Sequence, residues 1–372
     1  MKHIASFIIC ASIATGLSAM GQTAAEVNKF PGYTLSFHDE FTSGTPDKTG
    51  RVMQPDSSVW EYELGYIRGN QRQYYTNRRQ NIFLKDGLLY IRALPDTTLN
   101  PEYNRTSEDA RFSSRHVPTS ASIYIKDKFR FHCGIIETRA KIPAREGYAP
   151  AIWMSGDWHY GYSEIDIMEW ITGNDHTTVH WGRDWRNIVN RTFRLETYSL
   201  PENFWDDFHT WRTEWNHHYI RVYLDDAMVY ELPMDMTHVP ELGISPFCNS
   251  ENKMNLKLNL AFYTDIPVTT FPGDFIIDYT RIYTPDKADS PLVNRIAEAN
   301  NLLQKSKGNK GYTSKSRRAL QKAIKKANKE VGKSDTARIF SALNALDIAI
   351  ADFRKAGPIT AADNRKFEHW GL

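Results

Sequence analysis

The chain has 372 residues, which is enough for one large domain and one small domain. Its 46 basic and 44 acidic residues leave a formal net charge of +2, so the charge balance gives no indication of a nucleic-acid partner. Aromatic residues make up 13% of the chain, a content typical of an all-β core and also of a carbohydrate-binding surface.

The first residues have the pattern of an export signal. A basic start at Lys2 and His3 precedes an apolar stretch over residues 4–17, and Ala19-Met20-Gly21 has the small residues of a cleavage site. Residues 1–21 are therefore predicted to be a signal peptide. The apolar stretch is too short for a transmembrane helix. We expect a secreted or periplasmic monomer, free or associated with the cell surface, with no transmembrane segment.

Strand patterns follow throughout residues 33–285. Apolar and polar residues alternate with a period of two in segments such as 88–93, 135–139 and 220–224. Turn signals such as Lys85-Asp86-Gly87 separate these segments. Many strands without intervening helices predict an all-β sandwich of two antiparallel sheets over residues 33–285.

Cys133 and Cys248 are the cysteines that remain after removal of the signal peptide. A disulfide between them is compatible with an oxidising compartment, and two buried free thiols are equally compatible. Neither cysteine has a metal-type spacing partner such as CxxC. The sequence therefore predicts no transition-metal site and no catalytic cofactor, and it leaves the pairing of the cysteines open.

Three acidic residues occur together in the strand-like segment 163–170. Glu164 and Asp166 alternate with two isoleucines, so the two acids share one face of the strand and the isoleucines face the core. Simple alternation would point Glu169 into the core, where a carboxylate is costly. One extra residue, a β-bulge at Ile167-Met168, would return Glu169 to the face of Glu164.

Three acids on one face repel each other, and in a cleft this repulsion raises the pKa of at least one of them. A retaining glycosidase needs one ionised carboxylate as nucleophile and one protonated carboxyl group as proton donor, about 5–5.5 Å apart. On an ordinary solvated surface the same cluster would have no function. The cluster is therefore a candidate glycosidase site.

With E-x-D-x-x-E on a strand of this kind, the chain resembles glycoside hydrolase family 16, in particular its laminarinase-like members. Other segments that resemble the family are FHDEF at 37–41, GNQRQYYT at 69–76, APAIWM at 149–154, TVHWG at 178–182, 208–215 and 277–283. The resemblance implies a concanavalin A-like jelly roll with an open cleft. It also implies retaining, endo-acting hydrolysis with Glu164 as nucleophile, Glu169 as acid/base and Asp166 as their assistant.

The resemblance implies a polysaccharide or oligosaccharide substrate, with a β-1,3-glucan or a mixed-linkage β-1,3-1,4-glucan favoured. Arg72 replaces an acid that is usual in the family, Ser163 replaces a glycine, and the segment 158–162 is unusually aromatic. These departures leave open an endo-β-galactosidase acting on agar-, keratan- or mucin-type glycans. A third alternative is a non-catalytic glycan-binding protein, although such proteins usually lack one catalytic glutamate and both are present here.

Six residues are predicted to bind substrate, with a structural role as the alternative for the aromatic ones: Asn70, Arg72, Trp153, Trp158, His180 and Trp181. All except Trp158 lie in segments that resemble the family; Trp158 is included because of its aromatic neighbourhood. Glu40, Gly87 and Asp278 match positions that hold a structural calcium ion in many family members, and oxygen ligands suit Ca²⁺.

The composition changes after residue 285. Ser290-Pro291 has the features of a helix start, and apolar residues then recur at helical spacing in segments that begin near residues 290, 313 and 334. They predict a three-helix module over residues 289–356 and an irregular tail over residues 357–372. The module resembles the FIVAR type found beside bacterial carbohydrate-active domains, which implies a spacer or an adhesion role.

Overall fold

A computed structural model of the protein describes residues 29–171, 173–195, 200–201, 203–263, 270–308 and 311–357. The predicted signal peptide and the predicted tail after Gly357 lie outside these residues. The strands in the described part are β1 (Tyr33–Asp39), β2 (Thr45–Pro46), β3 (Met53–Gln54), β4 (Trp60–Glu63), β5 (Tyr74–Tyr75), β6 (Ile82–Lys85), β7 (Leu88–Leu99), β8 (His116–Ser120), β9 (Ser122–Ile125), β10 (Gly134–Lys141), β11 (Tyr148–Ser155), β12 (Tyr162–Ile171), β13 (Asn174–Gly182), β14 (Ile188–Leu195), β15 (His209–Trp215), β16 (Tyr219–Leu224), β17 (Ala227–Pro233), β18 (Asn255–Phe262) and β19 (Gly273–Pro285). The α-helices are α1 (Ala110–Ser113), α2 (Ser290–Lys305), α3 (Ser314–Ala327) and α4 (Thr336–Lys355).

Two large sheets form a sandwich. The ten-stranded sheet has the order β17-β16-β15-β10-β19-β7-β8-β5, with β1 paired to β19 and β6 paired to β7. The seven-stranded sheet has the order β14-β13-β12-β11-β18-β9-β4. The strand pairs are antiparallel, apart from the parallel pair of β5 and β8. The predicted all-β sandwich with a C-terminal helical bundle is confirmed.

The core between the sheets fixes the register of the catalytic candidate strand β12. Ile165, Ile167 and Met168 of this strand are at most 1% exposed and belong to the main apolar cluster. Burial of each such side chain contributes about 1.5–3 kcal/mol. A slip of one residue would move the apolar side chains to the solvent face, so the core holds the acids of β12 on the outer face.

Helices α2, α3 and α4 form a bundle with an apolar cluster of its own, which includes Leu292, Leu320 and Leu343. Tyr219 of β16 belongs to the same cluster, so the bundle packs on the outer face of the ten-stranded sheet. The seven-stranded sheet, with its three acids, lies on the other side of the sandwich core. None of the described helices is long and apolar enough to cross a membrane.

Candidate active site

Strand β12 contains one residue more than its neighbours at the position predicted for the bulge. Asp166 pairs with Thr178 of β13 and Glu169 pairs with His176, so three steps along β12 match two steps along β13. The pairing with β11 shifts at the same point. Because Ile167-Met168 are both buried in the core, the next side chain returns to the outer face. The predicted bulge is confirmed, and Glu169 shares a face with Asp166.

Glu164 lies opposite His180 of β13 and is partly exposed, so its carboxylate is accessible from the cleft. The hydroxyl of Tyr162 donates a hydrogen bond to its Oε2 at 3.0 Å. Burial raises the pKa of Tyr162, and the charge of Glu164 raises it further. The phenol therefore stays protonated and acts as a hydrogen-bond donor to Glu164. His180 Nε2 lies 3.9 Å from the other carboxylate oxygen. These contacts orient the carboxylate.

Asp166 is 7% exposed, and its Oδ2 atom lies 3.1 Å from Nε2 of His180. Burial, followed by the charge of Glu164, raises the pKa of Asp166 to about 8. Burial acts to lower the pKa of His180, but the hydrogen bond to Asp166 and the charges of the three acids together outweigh it, and the pKa of His180 is raised. The hydrogen bond between the two side chains therefore holds a proton next to Glu164.

Glu169 accepts a hydrogen bond at Oε1 from the hydroxyl of Tyr263, at 2.6 Å. Burial raises the pKa of Glu169, and the negative charge of Glu164 adds to this effect. The hydrogen bond from Tyr263 acts in the opposite direction because it stabilises the carboxylate, but the pKa stays raised. A raised pKa favours the protonated carboxyl group that a general acid needs.

Trp153 of β11 pairs with Asp166 in the strand register and lies on the outer face, but its ring is 8% exposed. Lys257 Nζ lies 4.3 Å from the ring centroid, and the guanidinium of Arg68 lies 4.7 Å from it. The indole N–H donates to Asn259 Oδ1 at 2.7 Å. Protein atoms therefore cover most of this ring, and its predicted contact with substrate stays a prediction.

Trp158 is 63% exposed and lies in a short turn before β12. Its ring centroid is 6.4 Å from that of Tyr162, whose hydroxyl contacts Glu164. An exposed indole at this distance can form a wall of the cleft beside the acids. The prediction that Trp158 binds sugar is compatible with this position.

The position of Trp181 contradicts the prediction that it binds substrate. It pairs with Ser163 on the inner face of the sheet, is 5% exposed and belongs to the main apolar cluster. Neighbouring residues of a strand point to opposite faces, so His180 on the cleft face forces Trp181 into the core. Trp181 therefore stabilises the sandwich and cannot contact a substrate in the cleft.

Asn70 and Arg72 lie in the loop before β5. Gln71, between them, forms an isolated bridge with Tyr263, the residue that contacts Glu169. The backbone N–H of Arg72 donates to the carbonyl oxygen of Phe262 at 2.8 Å. The loop is thus fixed beside the acid/base candidate, and substrate binding by Asn70 and Arg72 stays a prediction.

The residues predicted to bind calcium have other partners. The carboxylate of Glu40 accepts hydrogen bonds from Arg281 at 2.8 and 2.7 Å, and Asp278 accepts one from Arg139. Gly87 forms the turn between β6 and β7, with a φ of 75°. Since guanidinium groups bind the carboxylate oxygens that Ca²⁺ would need, the donor set fits the ion poorly. The calcium ion stays a prediction that these contacts do not favour.

Tyr162 and Tyr263 were not identified from the sequence as partners of the acids. Tyr162 is two residues before Glu164 on the same strand, so strand alternation alone predicts that both side chains lie on one face. Tyr263 has no local signal, because it is 94 residues from Glu169 and meets it only through the order of the strands.

Comparison with known proteins finds similarity over most of the sandwich. The sequence profile of glycosyl hydrolases family 16 matches residues 94–281. A beta-glucanase of Rhodothermus marinus is 30% identical over 293 residues, which cover 73% of this chain and 92% of that protein. Glucan endo-1,3-beta-glucosidase A1 of Niallia circulans is 28% identical over 279 residues. That match covers 68% of this chain but 38% of the longer protein.

A similar solved structure comes from work on endo-acting O-glycanases, which prominent members of the human gut microbiota express to initiate mucin breakdown. It has a TM-score of 0.58 and 29% sequence identity to this chain. The superposition covers 70% of this chain and 94% of the other. The similarity therefore extends over nearly the whole of that relative.

Proposed function

This chain belongs to family 16 of the glycosyl hydrolases, and on that premise we propose that it cleaves internal β-linkages of a polysaccharide with retention of configuration. The observation that carries the proposal is the bulge in β12, which brings a second glutamate, Glu169, to the face of Glu164. The two carboxyl groups differ in their surroundings as the reaction requires: burial raises the pKa of Glu169, while Glu164 accepts a hydrogen bond from Tyr162.

In the first step, the carboxylate of Glu164 attacks the anomeric carbon of the sugar. The glycosidic bond breaks, its electron pair goes to the leaving oxygen, and Glu169 donates its proton to that oxygen. The product of this step is a covalent glycosyl ester of Glu164. The proton between Asp166 and His180 limits the repulsion between the carboxylates of Asp166 and Glu164.

In the second step, the ionised Glu169 accepts a proton from water, and the water oxygen attacks the anomeric carbon on the face that the leaving group occupied. The ester bond to Glu164 breaks, and both glutamates return to their starting states. Two displacements at the same carbon retain the β-configuration. Tyr263 supports this step because its hydrogen bond stabilises the carboxylate form of Glu169.

The proposed substrate is a β-1,3-glucan or a mixed-linkage β-1,3-1,4-glucan. The similarity to a beta-glucanase and to a glucan endo-1,3-beta-glucosidase supports this choice. The test is a panel of laminarin, lichenan, barley-type mixed-linkage glucan, agarose, carrageenan, keratan and mucin glycans, with products separated by size. We expect short oligosaccharides of several lengths from the first two or three polymers, and no products from the Glu164→Gln variant.

An endo-β-galactosidase acting on mucin-type or keratan-type glycans is the second candidate. The similarity to the structure from the O-glycanase work favours it, as do Arg72 and the exposed Trp158, which depart from the laminarinase pattern. Products from mucin or keratan glycans, with laminarin left intact, would establish this candidate and exclude the glucanase. Binding to a polymer without any products would instead favour the non-catalytic glycan-binding protein.

We also propose that the protein is exported and monomeric. Export rests on residues 1–21, which lie outside the described part of the chain. The mature protein recovered from an exporting host should begin at Gln22, and its sedimentation should correspond to a single chain. An intact N-terminus in the exported fraction would contradict the assigned cleavage site.

A further inference from the structure

Three metal-binding side chains meet at the end of the ten-stranded sheet, on the side of the molecule away from the acids. His132 and Cys133 lie just before β10, and His217 lies in the turn between β15 and β16. One donor atom from each lies within 4.8 Å of the others. They line a cavity of about 560 Å³ between this sheet and the helical bundle. The proposed hydrolysis does not use this cluster, although Cys133 also packs in the main apolar core.

The local geometry directs the three side chains towards one point. Cys133 has a φ of 58°, an uncommon conformation for a residue other than glycine, and its Sγ lies 4.0 Å from His132 Nε2. The rings of His132 and His217 lie 5.3 Å apart, centroid to centroid. His132 Nε2 lies 3.1 Å from the carbonyl oxygen of Phe247. This carbonyl and Cys133 Sγ lie near the same nitrogen, so Nε2 must release the carbonyl when it binds an ion.

The donor atoms determine which ions fit. One thiol and two imidazoles are soft or borderline ligands, which suit Zn²⁺ and similar transition metals and do not suit Ca²⁺ or Mg²⁺. Among the described residues that line the cavity there is no carboxylate. Lys287 also lines it, and its charge repels a dication but favours the thiolate, two effects of opposite sign. In a zinc site, ligand atoms lie about 2.0–2.3 Å from the ion, so the side chains must draw together by roughly 1 Å.

We propose that His132, Cys133 and His217 bind one Zn²⁺-type ion, with water in the fourth position. The thiol of Cys133 loses its proton to solvent, and the thiolate and the two neutral imidazoles each donate a lone pair. His217 is exposed, so its side chain can move to complete the site. No residue of this cluster belongs to the catalytic strand, and the inference therefore stands independently of the proposed hydrolysis.

The site would have a structural role, because it joins segments on which the bundle packs. The ring of His218, next to His217, stacks on Phe340 of α4 at a centroid distance of 4.6 Å. Pro291 of α2 lines the same cavity. An ion held by His132, Cys133 and His217 would tie the start of β10 to the turn below the bundle. Since it binds the folded state, it should raise the melting temperature.

Cobalt(II) is the probe that tests the site, because its bond to a thiolate gives a charge-transfer band in the near ultraviolet. We expect the reduced full-length protein, with any purification tag removed, to bind one Co²⁺ per chain with this band, and Zn²⁺ to displace it. Cys133→Ser should abolish the band, and His217→Ala should weaken Co²⁺ binding by at least about tenfold. Cys248→Ser is the matched control, since it removes the other free thiol of the described part of the chain and should leave the band unchanged.

A second measurement separates loss of the site from loss of folding. Stoichiometric Zn²⁺ should raise the melting temperature of the wild type and of Cys248→Ser, and should not change that of His217→Ala. Because His217 is exposed, the melting temperature of that variant without metal should match the wild type. Absence of the thiolate band in the folded, reduced wild type would overturn the proposal. So would a band that persists in Cys133→Ser.

Discussion

Two regions of this protein bury several charged side chains, and they differ in how those charges are balanced. On the cleft side, the imidazole of His180 lies 3.9 Å from Glu164 and 3.1 Å from Asp166, so one ring faces two carboxylates. At the interface with the bundle, Arg295 binds Asp347 at 2.9 Å. The other pairs of that interface are Arg295 with Glu214 and Glu298, Arg221 with Asp347 and Glu231, and Arg354 with Glu298.

The balance of charge sets the pKa values of similar side chains in opposite directions. Burial raises the pKa of Glu169, and the nearby anion Glu164 adds to the effect. Burial also acts to raise the pKa of Glu298, but the charges of Arg295 and Arg354 and the hydrogen bond from Arg295 together outweigh it, and the pKa of Glu298 is lowered. Burial alone therefore does not make a proton donor. A buried glutamate can hold a proton at neutral pH where its neighbours are anions, and it stays ionised where they are cations.

The largest expected effect comes from removing the proposed nucleophile, Glu164, on the cleft side. Glu164→Gln keeps the size of the side chain but cannot form the glycosyl ester, so kcat should fall by at least about 10⁴-fold with little change in substrate binding. Initial rates on the polymer identified by the panel, together with binding measured by calorimetry, check this. Activity within tenfold of the wild type would remove Glu164 from the mechanism.

At the interface between the sheet and the bundle, a substitution should change the stability of the fold. Arg295→Ala removes the buried cation that Asp347, Glu214 and Glu298 share. Asp347 keeps Arg221, but the lost charge was the meeting point of the three acids, so the free energy of unfolding should fall by about 3–5 kcal/mol. The matched control is Arg338→Ala, which breaks an exposed pair with Asp335 in the same bundle and should cost less than about 1 kcal/mol. Urea denaturation followed by circular dichroism measures both. Equal losses in the two variants would show that the interface is not held by its buried charges.

A smaller effect is expected from the hydrogen bond that opposes the raised pKa of Glu169. Tyr263→Phe removes a donor that stabilises the carboxylate, so the pKa of Glu169 should rise further. The acid must be protonated to act, and the rate falls as pH rises through its pKa. The alkaline limb of the kcat/KM profile should therefore move to higher pH in this variant. A shift to lower pH would contradict the assignment of Glu169 as the acid.

The smallest expected effect is a change in the pKa of His180 when its partner Asp166 is replaced. Asp166→Asn removes the partner that raises the pKa of His180, so that pKa should fall. The nitrogen chemical shifts of the ring, followed by NMR as a function of pH, measure this directly. The loss of kcat should be less than that of Glu164→Gln, because Asp166 forms no covalent bond. An unchanged titration of His180 would show that the two groups are not coupled.

The sequence was most informative where a local pattern determines the structure. Alternation around Ile165 and the cost of burying Glu169 were sufficient to predict the bulge in β12. The same alternation places Trp181 on the face opposite His180, and therefore in the core. Tyr263 could not be found in this way, because its contact with Glu169 depends on which strands are neighbours.

The contacts between the bundle and the sheet could not be predicted from the sequence either. Helical periodicity identified the three helices, but it carries no information on the surface against which they pack. Arg221 and Glu214 lie on strands β16 and β15, far in sequence from Asp347 and Arg295 of the bundle. A truncation after Pro285 would therefore expose buried charges, even though the boundary falls neatly between two patterns.

The central claim is that the bulge delivers two glutamates with different roles, and azide rescue tests it most directly. With an activated aryl β-glycoside, whose leaving group needs no acid, Glu169→Ala should form the glycosyl ester on Glu164 and accumulate it. Azide should then enter on the face that Glu169 vacated, restore turnover and give a β-glycosyl azide, identified by its proton NMR coupling. An α-glycosyl azide from this variant would contradict the account, because it would mean that Glu169 is the nucleophile.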